Sequence, residues 1–342
     1  MIPTLVGITF LTFAVMHLAP GDPAQVRFAG AALDADAQGP SVASAIERFR
    51  REHLLDQPLW KQYLHYLGPF DLSERGHPWF GGSGAQPYGG LLAGDLEHEL
   101  LRPNVSIRAE LARRLAVTVP FTLLAVLLSY AIALPLALFS VLRRGSGVDL
   151  CATLCVFLLY AVPTFWAGLL LQLCFGASGL SWLPVLGLHD KDAGELGSLA
   201  SWLDLLRHAI LPLACLTYGG FAYVSRQMRS GMLEVMREDY IRTARAKGLP
   251  ERTVVLRHAL RNSLIPVVTL FATVLPALIG GSVIVESIFD IPGMGKYAFE
   301  GLLQRDYSIV MATTTLSAVM TLVGVLLSDL ACAWLDPRIR YE

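Results

Sequence analysis

The stretch DYIRTARAKGLPERTVVLRHALRNS, Asp239 to Ser263, decides the fold. Seven Lys or Arg fall between Arg237 and Arg261, yet strongly apolar runs lie on both sides. Each basic residue near a bilayer centre costs roughly 2.5–3.5 kcal/mol, on the order of 20 kcal/mol for the set, more than the few Val and Leu return. The stretch therefore lies outside the hydrocarbon. Its local structure is legible. Residues 238–247 lack Gly and Pro and are rich in helix formers. Gly248 fits the left-handed position that ends a helix. Pro250 fits the first turn of a second helix, with Glu251 favourable near its N-terminus. Residues 253–262 then continue as helix into the next apolar run. Tyr240, Thr243, Ala244 and Lys247 lie near one face of the first helix, and Thr243, Ala244 and Ala246 are small enough for another protein to approach closely.

Composition sets the frame. Of 342 residues, 54% are hydrophobic and 16% charged; soluble domains carry about 25% charged residues. With several apolar runs of about 20 residues, this is an all-α integral membrane protein. The net charge of −1 gives no overall basic field for nucleic acid. The five cysteines, Cys151, Cys155, Cys174, Cys215 and Cys332, all fall in apolar runs. An odd number without CxxC gives neither a disulfide framework nor a zinc site. Cys151 and Cys155 share a helix face, but two thiols without His or further Cys do not make a metal site.

Six spans are expected, near 2–18, 115–142, 150–175, 209–232, 264–288 and 309–335. The first lacks a basic leader and a small-residue cleavage site, so 1–19 reads as an uncleaved transmembrane helix. Residues 20–114 form a long external segment, and 115–342 a five-helix core with a loop at 234–263 between the fourth and fifth spans. Pro120, Pro135 and Pro163 inside spans are compatible with membrane helices, because neighbours satisfy the freed carbonyls. Arg143 and Arg144, the 234–263 loop, and Arg338 and Arg340 fall on one side, which is then cytoplasmic, with both termini. The opposite short loops carry only Lys191 and Arg207, or Lys296 and Arg305. Externally, Ser41 is expected to cap a helix carrying Val42, Ala45, Ile46 and Phe49. Asp56-Gln57-Pro58 opens another with Leu59, Tyr63 and Leu67. The Gly/Pro-rich 68–94 reads as a loop.

Other motifs carry less. The pattern G-x-x-x-x-G-K-[ST] is absent, and Pro292-Gly293-Met294-Gly295-Lys296 reads as an external turn. His98-Glu99-Leu100-Leu101-Arg102 is not HExxH and reads as a surface loop. Ser225 and His208 lack the pattern of an intramembrane protease. Glu286 and Asp329 are the best intramembrane ionisable candidates. A pathway role and a helix-capping role compete for them. No catalytic residue and no metal ligand is assigned.

For the 234–263 loop, a solvated cytoplasmic connector does not explain two well-punctuated helices. A helix lying on anionic lipid lacks a strong apolar face. A helix-turn-helix DNA reader would be tethered against the bilayer at both ends. A docking element that transmits motion to a cytosolic partner remains.

Here the residues reach a family. Arg242-Thr243-Ala244-x-x-x-Gly248 resembles the "EAA" loop of ABC importer permeases, whose pattern is Glu-Ala-Ala, three residues, Gly, and later an apolar residue near a Pro. Arg242 stands where Glu is expected, Thr243 replaces the first Ala, and Arg261 falls where the later Pro would be. The wording DYIRTARAKGLPE and LRHALRNSLIPV resembles the dipeptide/oligopeptide/nickel branch of these permeases, as do HLAPGDP, LDQPLWKQYLHYL, ESIFDIPGMGKYAFEGLLQRDY and LDPRIRY. The resemblance covers nearly the full length. Basic residues usual before the first span are missing, so a truncated start is expected, and the external insert is longer than usual.

The resemblance implies a type I ABC importer permease fold in a bacterial inner membrane. It implies a second permease subunit, two cytosolic ATPases carrying ATP and Mg, and an external solute-binding protein. This chain would bind no cofactor and hydrolyse nothing. The helix 240–247 would sit in an ATPase groove. Tyr240, Thr243, Ala246, Lys247 and Leu249 would make contacts, Ala244 would allow close approach and Gly248 would end the helix. Glu286, Pro292, Gly293 and Gly295 would lie at an outer gate or pathway. Short peptides are the expected cargo, with nickel chelates or oligosaccharides as alternatives, because in this family the binding protein largely selects cargo. The rival from another class is an ion- or proton-coupled secondary carrier, which needs ionisable groups near the membrane midplane.

Overall fold

In the computed structural model, residues 2–18, 21–33, 40–68, 90–94, 96, 98–176, 179–190, 198–264 and 271–335 are described. Lys191, Arg338, Arg340, the terminal LDPRIRY beyond Leu335 and most of 68–94 lie outside them. The helices, in order, are α1 (Ile2–Leu18), α2 (Pro23–Leu33), α3 (Pro40–Glu52), α4 (Leu59–Leu67), α5 (Ile107–Leu142), α6 (Gly147–Ala161), α7 (Thr164–Phe175), α8 (Ser198–Val235), α9 (Asp239–Ala246), α10 (Glu251–Thr253), α11 (Leu260–Ser263), α12 (Phe271–Gly280), α13 (Val283–Ile288), α14 (Met294–Gln304) and α15 (Tyr307–Leu335). Among the described residues there is no strand, only an isolated bridge between His98 and Ser106.

Among the described residues, three helices are long and apolar enough to cross a membrane: Ile107–Leu142, Leu199–Val235 and Tyr307–Leu330. The expected third span is not one rod. Val162, ahead of Pro163, takes an extended backbone, as pre-proline sterics favour. The helix therefore stops at Ala161 and restarts at Thr164, bent by 97°. The expected fifth span is also interrupted, at Gly281 and Ser282, where the Ser282 hydroxyl accepts from Val285 N and caps α13. The fourth is longer than expected, 38 residues. Asp204, Arg207 and His208 end the apolar run in the sequence but do not end the helix. Ser225 and His208 stand 17 positions apart on that one helix, about 25 Å along it at 1.5 Å per residue, too far for a catalytic pair.

The chain divides into two compact units. The first comprises Met1–Leu115 and Tyr297–Val319. In it, α1 and α4 are joined by Thr9 Oγ1 to Tyr63 Oη (3.0 Å) and by His17 Nε2 to Gln62 Oε1 (2.9 Å). Ala24, Phe49 and Leu100 form a small core, with the Arg27 guanidinium 4.9 Å over the Phe49 ring. α3 begins at Pro40, so Ser41 stands inside its first turn and is not the cap. Proline fits that position because the first N–H groups of a helix have no partner anyway. The 98–102 stretch is not a surface loop. Glu99 is 1% exposed and accepts from Tyr297 Oη (2.9 Å) and Arg102 Nε (2.6 Å). The arginine that breaks the zinc motif neutralises the buried acid. Asp306, fully buried, accepts from Leu101 N and Ile309 N, both at 3.1 Å.

The second unit comprises Ala116–Lys296 and Met320–Glu342. Ala133 and Ala137 of α5 leave no side chain beyond Cβ, and Val224, Met228 and Met232 of α8 pack into that space with Val255. Such small residues let membrane helices approach closely. Ser129 Oγ donates to the Thr217 carbonyl of α8 at 3.1 Å. Gln172 of α7 donates to the Ile288 carbonyl at 2.6 Å, tying α7 to the end of α13. Large apolar side chains stand outward on α5 to α8, as a bilayer-facing surface requires.

Candidate functional site

The basic stretch folds as a helical elbow. α9 is amphipathic in a narrow sense: Ile241 and Ala244 are buried against Val254 and Ala259, with Val235 and Met236 alongside. Gly248 turns the chain at φ +77°, where an L side chain is costly. A Cβ there meets nothing within 4 Å, so the requirement is backbone conformation alone. Pro250 sits one position earlier than its expected place in the first turn. It is the N-cap of α10, its carbonyl accepting from Thr253 N (2.8 Å) and Val254 N (3.1 Å). The corner is braced by Arg245, whose Nη2 and Nε reach the Glu251 carboxylate at 2.6 and 3.0 Å. That guanidinium holds the Glu251 carboxyl below its ordinary pKa. Asn262 Nδ2 donates to Tyr240 Oη at 2.7 Å, joining α9 to α11.

The second arm is not the continuous α-helix expected over 253–262. Val254–Ala259 is π-helical. Val254 is buried against α9, and its neighbour Val255 is buried against α5 and α8. Consecutive residues of a helix point to different sides, so the two valines face separate cores. π-turns are frequent at functional sites.

The structure thus exposes six of the seven residues expected at a docking interface: Tyr240, Thr243, Ala246, Lys247, Gly248 and Leu249. Ala244 is 6% exposed and serves the elbow's own core. Its smallness brings α9 close to Val254 and Ala259, and the expectation that it lets a partner approach is not where the side chain points.

The second group of expected residues forms another cluster. Glu286 of α13 is 6% exposed. Its Oε2 accepts from Lys296 N at 2.8 Å, and its Oε1 from Thr118 Oγ1 at 3.1 Å. Gly295 N also donates to it. Thr118 Oγ1 in turn accepts from Met294 N at 2.8 Å. The first three N–H groups of α14 are therefore all satisfied, and a carboxylate sits where the helix dipole favours negative charge. Glu286 is a remote N-cap for a helix that starts eight residues after it. Gly281, Gly293 and Gly295 surround the carboxylate. A Cβ on Gly293 would lie 2.3 Å from Glu286 Cδ. Pro292 is exposed beside them, while Asp329 is exposed on α15.

Sequence reading missed a third group. Arg229 of α8 places Nη2 2.8 and 3.0 Å from the two Asp149 oxygens and Nε 3.2 Å from Ser140 Oγ. Asp149, 8% exposed at its side chain, also accepts from Gly145 N at 3.1 Å. This joins the α5–α6 turn to α8. The one local signal was Ser146, whose hydroxyl accepts from Asp149 N as the cap of α6. Thr118, 168 residues from Glu286, had no local signal.

Three comparisons bear on what this arrangement serves. Residues 125–341 match the family model described as binding-protein-dependent transport system inner membrane component. The chain is 36% identical over 341 residues to the oligopeptide transport system permease protein AppB of Bacillus subtilis (strain 168), covering 99% of this chain and 96% of the relative. It is 32% identical over 356 residues to the dipeptide transport system permease protein DppB of Escherichia coli (strain K12), covering 100% and 96%. Among solved structures, the inward-facing MetNI methionine ABC transporter aligns with TM-score 0.50 at 15% identity, covering 67% of this chain and 97% of that one; at that identity the likeness speaks for the fold. A match over more than half the chain, with relatives at this identity over nearly all of it, means that the chain belongs to the family of inner membrane components of binding-protein-dependent transport systems.

Proposed function

We propose that this permease forms part of the path by which short peptides enter a cell, and that its elbow converts ATPase motion into a change of access. The observation that carries the reading is the elbow itself. It is a helix with an exposed polar and small-residue face, held to its own second arm by a buried core, an ion pair and a side-chain hydrogen bond. Such an element moves as one body. Pushed at Tyr240, Thr243, Ala246, Lys247 and Leu249, it passes displacement to α8 and α11 without absorbing it locally. ATP bound between two partner ATPases would stabilise one global state over another, which is what a switch requires.

The cargo reading rests on the relatives' names, an oligopeptide and a dipeptide system. The assembly would hold this chain, a second permease, two ATPases with ATP and Mg, and an external binding protein, in a bacterial inner membrane with both termini cytoplasmic. Glu286 and Gly293 would act at the outer mouth by fixing where α14 begins. The secondary-carrier rival gains nothing from the buried acids, since Glu286 and Asp149 are engaged by backbone and side-chain donors.

The test is uptake of a labelled dipeptide into proteoliposomes holding the assembled complex and binding protein. Uptake that needs ATP on the ATPase side and survives ionophores supports the reading. Ionophore-sensitive uptake without ATP overturns it. A cysteine at Thr243 that never crosslinks to an ATPase subunit removes the elbow's assigned role.

A further inference from the structure

A cluster of two histidines and two aspartates joins the loop before α8 to the first turns of that helix. Asp204 and His208 stand four apart on α8, so they share a face, and both are buried, at 8% and 3% exposure. His189 and Asp190 approach from the loop. The ligand atoms of Asp190, Asp204 and His208 all lie within 4.8 Å of one another.

The hydrogen bonds divide these atoms into supports and free donors of electron pairs. His208 Nδ1 lies 3.0 Å from the Asp204 backbone carbonyl, an acceptor only, so Nδ1 carries the proton. A neutral His208 ring then presents the Nε2 lone pair. That nitrogen is 3.7 Å from Asp190 Oδ1, too long for a hydrogen bond. On Asp204, Oδ2 accepts from His189 Nδ1 and from Asp190 N, each at 3.1 Å. Its Oδ1 lies 3.3 Å from His208 Nδ1. One ligand atom from each of Asp190, Asp204 and His208 thus lies within 4.8 Å of the others, and a cation among them would offset the charge of the two carboxylates.

We propose that Asp190, Asp204 and His208 bind a divalent cation of the zinc class, with His189 as a positioning residue that holds Asp204. Zinc takes imidazole nitrogen and carboxylate oxygen at about 2.0–2.2 Å, which puts neighbouring ligands on one ion roughly 3.3–3.6 Å apart, near the 3.7 Å seen between Nε2 and Oδ1. A metal-binding histidine usually donates its other N–H to a carbonyl or carboxylate, which fixes the tautomer; His208 does so. The ion fastens the loop to α8, and a fourth position stays open to water. Gly187 N donates to the Phe289 carbonyl at 2.8 Å, so the fastened loop is also tied to the end of α13.

The experiment uses the full chain, purified in detergent, stripped with chelator and dialysed against Zn²⁺. Bound zinc is measured by mass spectrometry and affinity by calorimetry, and the melting temperature is followed with and without the ion. The expected result is one zinc per chain and a melting temperature that rises with zinc, since an ion that binds only the folded state stabilises it. His208→Gln and Asp204→Asn should abolish the high-affinity zinc. Asp190→Asn, at an exposed side chain, should fold normally and weaken binding by at least about tenfold. His189→Gln should weaken binding without removing it. Zinc held equally by wild type, Asp190→Asn and His208→Gln would be adventitious and would overturn the proposal. So would the absence of retained zinc.

Discussion

Replacing Gly293 by Ala tests the reading of Glu286 most directly. The new Cβ would stand 2.3 Å from Glu286 Cδ and 2.4 and 2.5 Å from its two oxygens, against an ordinary contact of 3.4–4 Å. About 1 Å of movement is needed. The carboxylate is held at 2.8 Å by Lys296 N and 3.1 Å by Thr118 Oγ1, so a shift of that size breaks bonds to an ionised group, each worth about 1.5–3 kcal/mol. If the backbone yields instead, overpacking costs about 1–3 kcal/mol. The cheaper response sets the answer, about 1–3 kcal/mol. For a unit of this size that lowers the melting temperature by roughly 2–12 °C. Gly219→Ala is the control. Its Cβ meets nothing within 4 Å, and alanine is favoured over glycine inside a helix by about 1 kcal/mol, so that variant should melt no lower than the parent. The assay is thermal unfolding of the detergent-purified chain, repeated in a Glu286→Ala background. There, Gly293→Ala should cost little, because the atoms it strikes are gone. Equal losses in both backgrounds would refute the cradle, since the coupling energy of the double-mutant cycle would be zero.

Gly248→Val forces a β-branched residue to φ +77° at a cost of about 1–2 kcal/mol or more; substrate-stimulated ATPase activity and uptake should separate, and a variant with both intact would remove the elbow from coupling. Asp149→Asn leaves Arg229 without its counter-charge in a part-buried site and should cost about 3 kcal/mol, read as a lower melting temperature, whereas a neutral outcome would mean that Arg229 turns to solvent. Glu251→Gln removes an exposed ion pair and should cost under about 1 kcal/mol. Because the Glu251 pKa is lowered from 4.5, the pair's contribution is present above that value and is lost as pH falls through the lower, folded pKa. Titration of the elbow by hydrogen exchange at neutral and acid pH checks that sign.

Much of the fold was legible because charge in a membrane protein is expensive. The basic stretch could only be a loop, and its Gly248 and Pro250 punctuate it in the sequence as they do in space. The apolar runs located α1, α5, α8 and α15 for the same reason. What stayed hidden depended on partners far apart in the chain. Nothing near Glu286 says that Thr118 and the amides of Gly295 and Lys296 will close around it. Arg229 sits in an apolar helix, and only the fold brings Asp149 to it. Local rules also misjudged two interruptions. Pro163 was read as tolerated within a span, yet with Val162 extended the helix bends by 97°. The π-turn at Val254–Ala259 has no local breaker at all. Within it, two adjacent valines are held in different cores.

That last feature ties elbow to bundle. Ile241 and Ala244 fix α9 to Val254, and Val255, one residue on, is fixed among Ala137, Val141, Met228 and Met232. A force on α9 reaches α5 and α8 through two neighbouring side chains. If the π-turn is what allows this, deleting one residue within it should restore α-helical pitch and rotate one valine out of its core. The elbow would still fold around whichever valine remained, and the chain would still assemble. Uptake would fall while basal ATP hydrolysis by the partners continued. A deletion variant that transports normally would show that the extra residue is incidental, and that force leaves the elbow by the Val235–Met236 connection to α8 instead.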